Sequence, residues 1–131
     1  MIYLDSCILI YALEDATARG DAVRAALAAT DDLVAASPLV LHECLVGPLK
    51  TRNLELRQRY LDVYERLHHL ELDGGAFVQA AELRAAFPMR TPDALHLAAA
   101  QRAGCTALWT NDRRFAASSQ GLAINLLDAL G

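Results

Sequence analysis

Apolar residues in this chain fall into two kinds of run: short unbroken blocks, and longer stretches where they return every three or four positions. The blocks read as buried strands and the periodic stretches as helices with one face on a core. Ile2-Tyr3-Leu4 is a strand at the start, followed by a helical stretch from Ser6 to about Leu13 and an alanine-rich one from about Ala16 to Thr30. Leu33-Val34-Ala35-Ala36 is a second strand. Ser37-Pro38 then signals a helix start, with Ser as N-cap and Pro in the first position; this helix is expected to reach Val46 and stop near Gly47-Pro48. Leu56, Tyr60, Val63, Tyr64 and Leu67 recur at helical spacing between about Leu54 and Leu70. His69 to Leu72 is a candidate short strand, and Gly74-Gly75 a turn before a helix to about Phe87. Thr91-Pro92 repeats the cap-then-proline signal for a helix ending near Gly104. Thr106 to Thr110 and Leu122 to Leu126 supply the last strands. Alternation of this kind predicts an α/β fold with a central, mostly parallel sheet of four or five strands.

The 131 residues carry no repeat, low-complexity tract or linker, so one domain over 1–131 is expected. A hydrophobic fraction of 54% supports a sizeable core and excludes a disordered chain. No apolar run is long enough to span a bilayer, and Met1 to Asp5 lacks the basic start of a signal peptide, so a cytoplasmic protein is expected. Cys7, Cys44 and Cys105 form no paired motif and read as reduced core thiols. The net charge of −4 departs from the basic footprint of most nucleic-acid binders, although a local arginine cluster can still hold a phosphate backbone.

Four acids change the picture. Asp5 closes the first strand and Asp112 follows the Leu108-Trp109-Thr110 strand, so a parallel sheet delivers both to the carboxyl ends of its strands, where ligands bind. Asp93 stands in the first turn of the helix opened by Thr91-Pro92. Taken singly, Asp5 and Asp112 also fit as helix caps, and Asp93 as an acid suited to the positive end of a helix dipole. Glu43 resists such readings. Its neighbours at i±3 and i±4 are Leu39, Val40, Val46 and Gly47, with no Lys or Arg within a turn. A carboxylate buried there costs several kcal/mol unless it is paired or bound to metal. Converging to about 5 Å, each pair of acids would repel by roughly 3 kcal/mol at an effective dielectric near 20. Protons or a cation must then neutralise them, and carboxylate oxygens suit Mg²⁺ or Mn²⁺.

With these acids in their settings, the chain resembles the PIN-domain ribonucleases, most closely the VapC toxins of type II toxin–antitoxin pairs. The resemblance spans nearly the whole length. It rests on Ile2-Tyr3-Leu4-Asp5-Ser6, on Ser37-Pro38-Leu39-Val40-Leu41-His42-Glu43, on Thr91 through Ala100, and on Leu108-Trp109-Thr110-Asn111-Asp112-Arg113-Arg114-Phe115. It implies a PIN-like three-layer α/β/α fold and endonucleolytic cleavage of RNA by a water that Mg²⁺ or Mn²⁺ activates. By resemblance, Asp5, Glu43 and Asp93 hold the metal, Asp112 completes the site, and Ser6 and Thr110 support it. A homodimer and a VapB-like antitoxin that blocks the site are implied in the same way. The alternative is a PIN-like module without catalysis that binds RNA or a protein partner.

Arg90, Arg113 and Arg114 neighbour the acids in sequence and are candidate RNA-backbone contacts, against a competing reading as solvated surface. His96, one turn after Asp93, reads as a packed or supporting histidine rather than a general base. His42 reads as a surface or core residue, and the Leu56 to Leu67 stripe as core first, with an antitoxin groove nearby implied by the resemblance. Other families fail on specific residues. A haloacid-dehalogenase-type phosphatase needs a second Asp where Cys7 stands, a receiver domain needs a late lysine whereas Lys50 is the sole lysine, and no phosphate-binding G-x-x-x-x-G-K motif occurs.

Overall fold

A computed structural model describes residues 1–119 and 121–130. Their order is β1 (Ile2–Leu4), α1 (Ser6–Glu14), α2 (Ala18–Ala29), β2 (Val34–Ala36), α3 (Pro38–Lys50), α4 (Leu54–Arg66) and β3 (His68–His69), then α5 (Gly74–Ala86), α6 (Thr91–Arg102), β4 (Ala107–Thr110), α7 (Arg113–Ser118), β5 (Ala123–Asn125) and α8 (Leu126–Leu130). The strands form one parallel sheet in the order β3-β2-β1-β4-β5. β1 lies at its centre, which is why Ile2-Tyr3-Leu4 is apolar without alternation: all three residues are buried.

Right-handed crossovers place the helices of the β1–β2 and β2–β3 connections on one face of the sheet and those of β3–β4 and β4–β5 on the other. In agreement, α1 packs on α2 and α3, and α3 on α4, while α5 packs on α6. Helix α6 is buried from Asp93 through Ala100, and its alanines let it lie close to both the sheet and α5. Past its C-cap at Ala103 stands Gly104, whose φ of +72° suits a residue without Cβ. The Leu56 to Leu67 stripe faces the core through buried Tyr60 and the partly buried Leu56, Val63, Tyr64 and Leu67.

Several local expectations need correction. Helix α3 does not stop at Gly47-Pro48 but runs to Lys50, because Pro48 is buried and Thr51 satisfies the late carbonyls of Gly47 and Pro48. Ser37 does precede α3, yet its side chain makes no cap bond and turns inward to the Tyr3 hydroxyl. Thr91 lies inside α6, with Arg90 in the cap position. β3 is His68–His69 rather than His69 to Leu72, an exposed edge of two residues, with the Leu70 amide adding one more bond to Ala36. Helices α7 and α8 have only 6 and 5 residues, too few for a periodic signal. Among the described residues, no helix is long and apolar enough to cross a membrane.

Candidate metal centre

Read outward from β1, the chain adds β2 and β3 on one side and then resumes with β4 and β5 on the other. The order therefore reverses between β1 and β4, and the crevice at the carboxyl ends of these two strands is where an open parallel sheet binds ligands. Asp5 leaves β1 there, and its amide donates to the carbonyl of Trp109 on β4 at 2.9 Å. Asp5 is 8% exposed. Its Oδ1 accepts from the Ser6 amide at 2.8 Å, capping α1, and its Oδ2 accepts from the Thr110 hydroxyl at 2.7 Å. Thr110 is fully buried, and its Oγ1 also accepts from the Asp112 amide at 3.1 Å. One hydroxyl thus ties the two strand ends that carry acids.

Asp112 caps α7 by accepting from the Arg114 and Phe115 amides through Oδ1. Its other oxygen faces the Arg90 Nη2 at 3.5 Å. Asp93, in the first turn of α6, is 8% exposed and takes a 3.3 Å bond from the Arg90 Nε. Burial holds the Asp93 carboxyl above its ordinary pKa; Arg90 opposes this, while Asp5 and Asp112 add to it. Capping and clustering are therefore not rival explanations for Asp5 and Asp112, since each does both.

Glu43 reaches the crevice from the middle of α3. The sequence left it without a partner, and the structure corrects this: His96 of α6 donates from Nε2 to the Glu43 Oε1 at 2.6 Å. Burial works to raise the Glu43 pKa, but hydrogen bonding and charge from His96, aided by Ser6, leave the carboxyl below its ordinary value. Asp5, Glu43 and His96 each offer a ligand atom, all lying within 4.8 Å of one another. Asp5, Glu43, Asp93 and Asp112 all line one cleft, together with Ser6. Their oxygens are hard donors, the kind that fit Mg²⁺ or Mn²⁺. A raised Asp93 pKa beside two further carboxylates is the electrostatic state that a bound cation would relieve.

The three arginines differ. Arg90, 75% exposed, bridges Asp93 and Asp112. Arg113 lines the cleft but is held by two bonds to Asp128, at 3.0 and 2.9 Å. Arg114 also lines the cleft. The cysteines are unpaired; Cys44 and Cys105 are buried. Cys7 borders the cleft, where burial and Asp5 push its thiol up to about 12, so it stays protonated. His42 is exposed. Sequence reasoning missed the roles of Tyr3, whose hydroxyl contacts His96 in the core, and of Ser37, which contacts Tyr3. The one available signal was a tyrosine inside an otherwise aliphatic strand.

The PIN domain family model matches residues 2–119. No curated protein matches the sequence. Among solved structures, the fold is similar to a toxin-antitoxin complex from Klebsiella pneumoniae, with 22% identity, a TM-score of 0.80 and coverage of 96% of this chain and 98% of that one. It is similar to VapBC2 from Rickettsia felis bound to a DNA fragment from their promoter, with 25% identity, a TM-score of 0.75 and coverage of 95% and 98%. It is also similar to Mycobacterium tuberculosis VapC20, a sarcin-ricin loop cleaving toxin, with 18% identity, a TM-score of 0.75 and coverage of 90% and 95%.

Proposed function

The chain belongs to the PIN-domain family, and from this premise we propose that it is a metal-dependent endoribonuclease, the VapC-like toxin of a toxin–antitoxin pair. The observation that carries the reading is the meeting of four carboxylates from four separate elements in one cleft at the sheet's reversal point. Asp5, Glu43 and Asp93 would hold Mg²⁺ or Mn²⁺, with Asp112 completing the set and Ser6 and Thr110 in support. When bound, such a cation supplies an activated water at neutral pH and neutralises charge on the phosphate. The chain's own residues prepare the site. Thr110 and the Ser6 amide fix the Asp5 carboxylate, and the α7 cap fixes Asp112.

Arg90 carries an exposed guanidinium at the cleft edge, suited to a phosphate of the RNA backbone. Arg114 is a second such contact; Arg113 would first have to leave Asp128. The solved relatives that are toxin-antitoxin complexes support a VapB-like antitoxin as partner. Val46, Leu49 and Leu54, exposed where α3 passes to α4, offer it an apolar surface. A homodimer, a cytoplasmic location and one nuclease domain over 1–131 complete the proposal. The test is cleavage of total cellular RNA by wild type and Asp93→Asn, with Mg²⁺ and with EDTA. Cleavage by wild type with Mg²⁺ alone is expected; equal cleavage in all four reactions would refute the assignment.

A further inference from the structure

Behind the acids lies a chain of polar side chains with no access to solvent. Ser37 Oγ is 2.7 Å from the Tyr3 hydroxyl, which is 2.6 Å from the Nδ1 of His96, whose Nε2 is 2.6 Å from the Glu43 Oε1. Tyr3 and Ser37 are fully buried, and His96 is 1% exposed. We propose that His96 is a positioning residue, which with Tyr3 and Ser37 behind it fixes the Glu43 carboxylate for divalent-cation binding. This rests on the metal-dependent reading above.

Donor chemistry fixes the bond to Glu43. An ionised Glu43 only accepts, so Nε2 carries the hydrogen between them. In a neutral imidazole Nδ1 accepts from the Tyr3 hydroxyl, which takes its own hydrogen bond from Ser37; in a protonated one Nδ1 donates to the Tyr3 oxygen and the hydroxyl donates to Ser37. In either state Nε2 donates to Glu43 and the ring is held from behind, as outer-shell groups hold the ligands of a metal.

Topology explains why this network matters for more than one acid. Tyr3 stands on β1 two residues before Asp5, Ser37 opens α3 six residues before Glu43, and His96 stands on α6 three residues after Asp93. The three elements that bring Asp5, Glu43 and Asp93 are thus bonded to one another directly beneath them. Burial also limits what His96 does: a side chain without solvent access does not meet RNA, so it orients Glu43 rather than moving a substrate proton. Glu43, whose side chain is 28% exposed, would otherwise sample several rotamers.

The test measures Mn²⁺ affinity, by calorimetry or by electron paramagnetic resonance of unbound Mn²⁺, for the full chain and three variants. His96→Asn keeps an amide near Tyr3 but falls short of Glu43, whereas His96→Gln places an amide nitrogen near the lost Nε2. Tyr3→Phe keeps the core volume and removes only the hydroxyl behind the ring. Expected are a 10- to 100-fold weaker affinity in His96→Asn, as is usual for loss of an outer-shell partner, substantial recovery in His96→Gln and a smaller loss in Tyr3→Phe. Should His96→Asn fail to fold by circular dichroism, Tyr3→Phe decides. Wild-type affinity in His96→Asn and Tyr3→Phe, or no recovery in His96→Gln, would overturn the positioning role while leaving the metal reading intact. Absence of Mn²⁺ binding by wild type would overturn the metal reading itself and this proposal with it.

Discussion

Replacing Asp5 with Asn separates a metal ligand from a helix cap, because the two roles predict opposite patterns of stability. Asp5 and Glu43 have oxygens within 4.8 Å, which corresponds to a repulsion of about 3.5 kcal/mol at an effective dielectric near 20. Asn removes this repulsion. It also keeps only one acceptor oxygen, so one of the bonds from Ser6 or Thr110 is lost, at a cost of about 1.5–3 kcal/mol for a bond to a charged group. The two changes nearly cancel, and metal-free Asp5→Asn is expected within about 2 kcal/mol of wild type. With Mn²⁺ at one hundred times its Kd, wild type gains about 2.7 kcal/mol. An unfolding entropy of about 2.1 cal/mol/K per residue turns that into a rise in Tm of about 10 °C for a chain of this length. Asp5→Asn should show no such rise. Scanning calorimetry of both proteins, with Mn²⁺ and with EDTA, measures all four values. An equal Mn²⁺-induced rise in the variant would refute the ligand role. A metal-free loss well beyond 10 °C would show that the cap bonds outweigh the repulsion and would refute the near-cancellation.

Burial first, then Asp5 and Asp112 against the opposing Arg90, raise the Asp93 pKa, so the fold favours its protonated form. That contribution is present at low pH and is lost as pH rises through the folded-state value. Metal-free Asp93→Asn should therefore be more stable than wild type near neutral pH and equal to it at about pH 3, as urea unfolding at both pH values will show. Thr110→Val preserves shape but removes the acceptor of the Asp112 amide and leaves Asp5 Oδ2 only the weak Cys7 thiol contact; a loss of about 1–3 kcal/mol in the same assay is expected. Arg90→Ala removes the cation that bridges Asp93 and Asp112. It should tighten Mn²⁺ binding and weaken RNA binding, with the dependence of log affinity on log salt reduced by about one. An unchanged salt dependence would remove Arg90 from the RNA path.

The layout of the sheet was legible because central parallel strands are largely buried on both faces and show as continuous apolar blocks, as in Ile2-Tyr3-Leu4 and Ala107-Leu108-Trp109. Both strands that carry acids at their ends belong to this class, so the sequence alone places Asp5 and Asp112 on one edge. Helix starts marked by proline were legible too, although only to within a residue at Thr91. Local signals failed where long-range packing decides the outcome. Burial of Pro48 carries α3 past a pair of residues that ordinarily ends a helix. The Glu43–His96 bond joins residues 53 positions apart, a distance at which no helical or strand period speaks. The partner of Glu43 is a histidine supplied by α6, not a residue of its own helix. The inward turn of Ser37 was hidden for the same reason: a serine before a proline is read as a cap, and only the proximity of Tyr3 gives its hydroxyl another use.

On the proposed function, these acids share a cleft in order to hold a divalent cation. Anomalous diffraction from crystals of the wild-type protein grown with Mn²⁺ tests it most directly. A manganese peak in the cleft, coordinated by the carboxylates of Asp5 and Asp93, is the expected result. At saturating Mn²⁺, a cleft without such a peak, or manganese bound only by other residues, would contradict it.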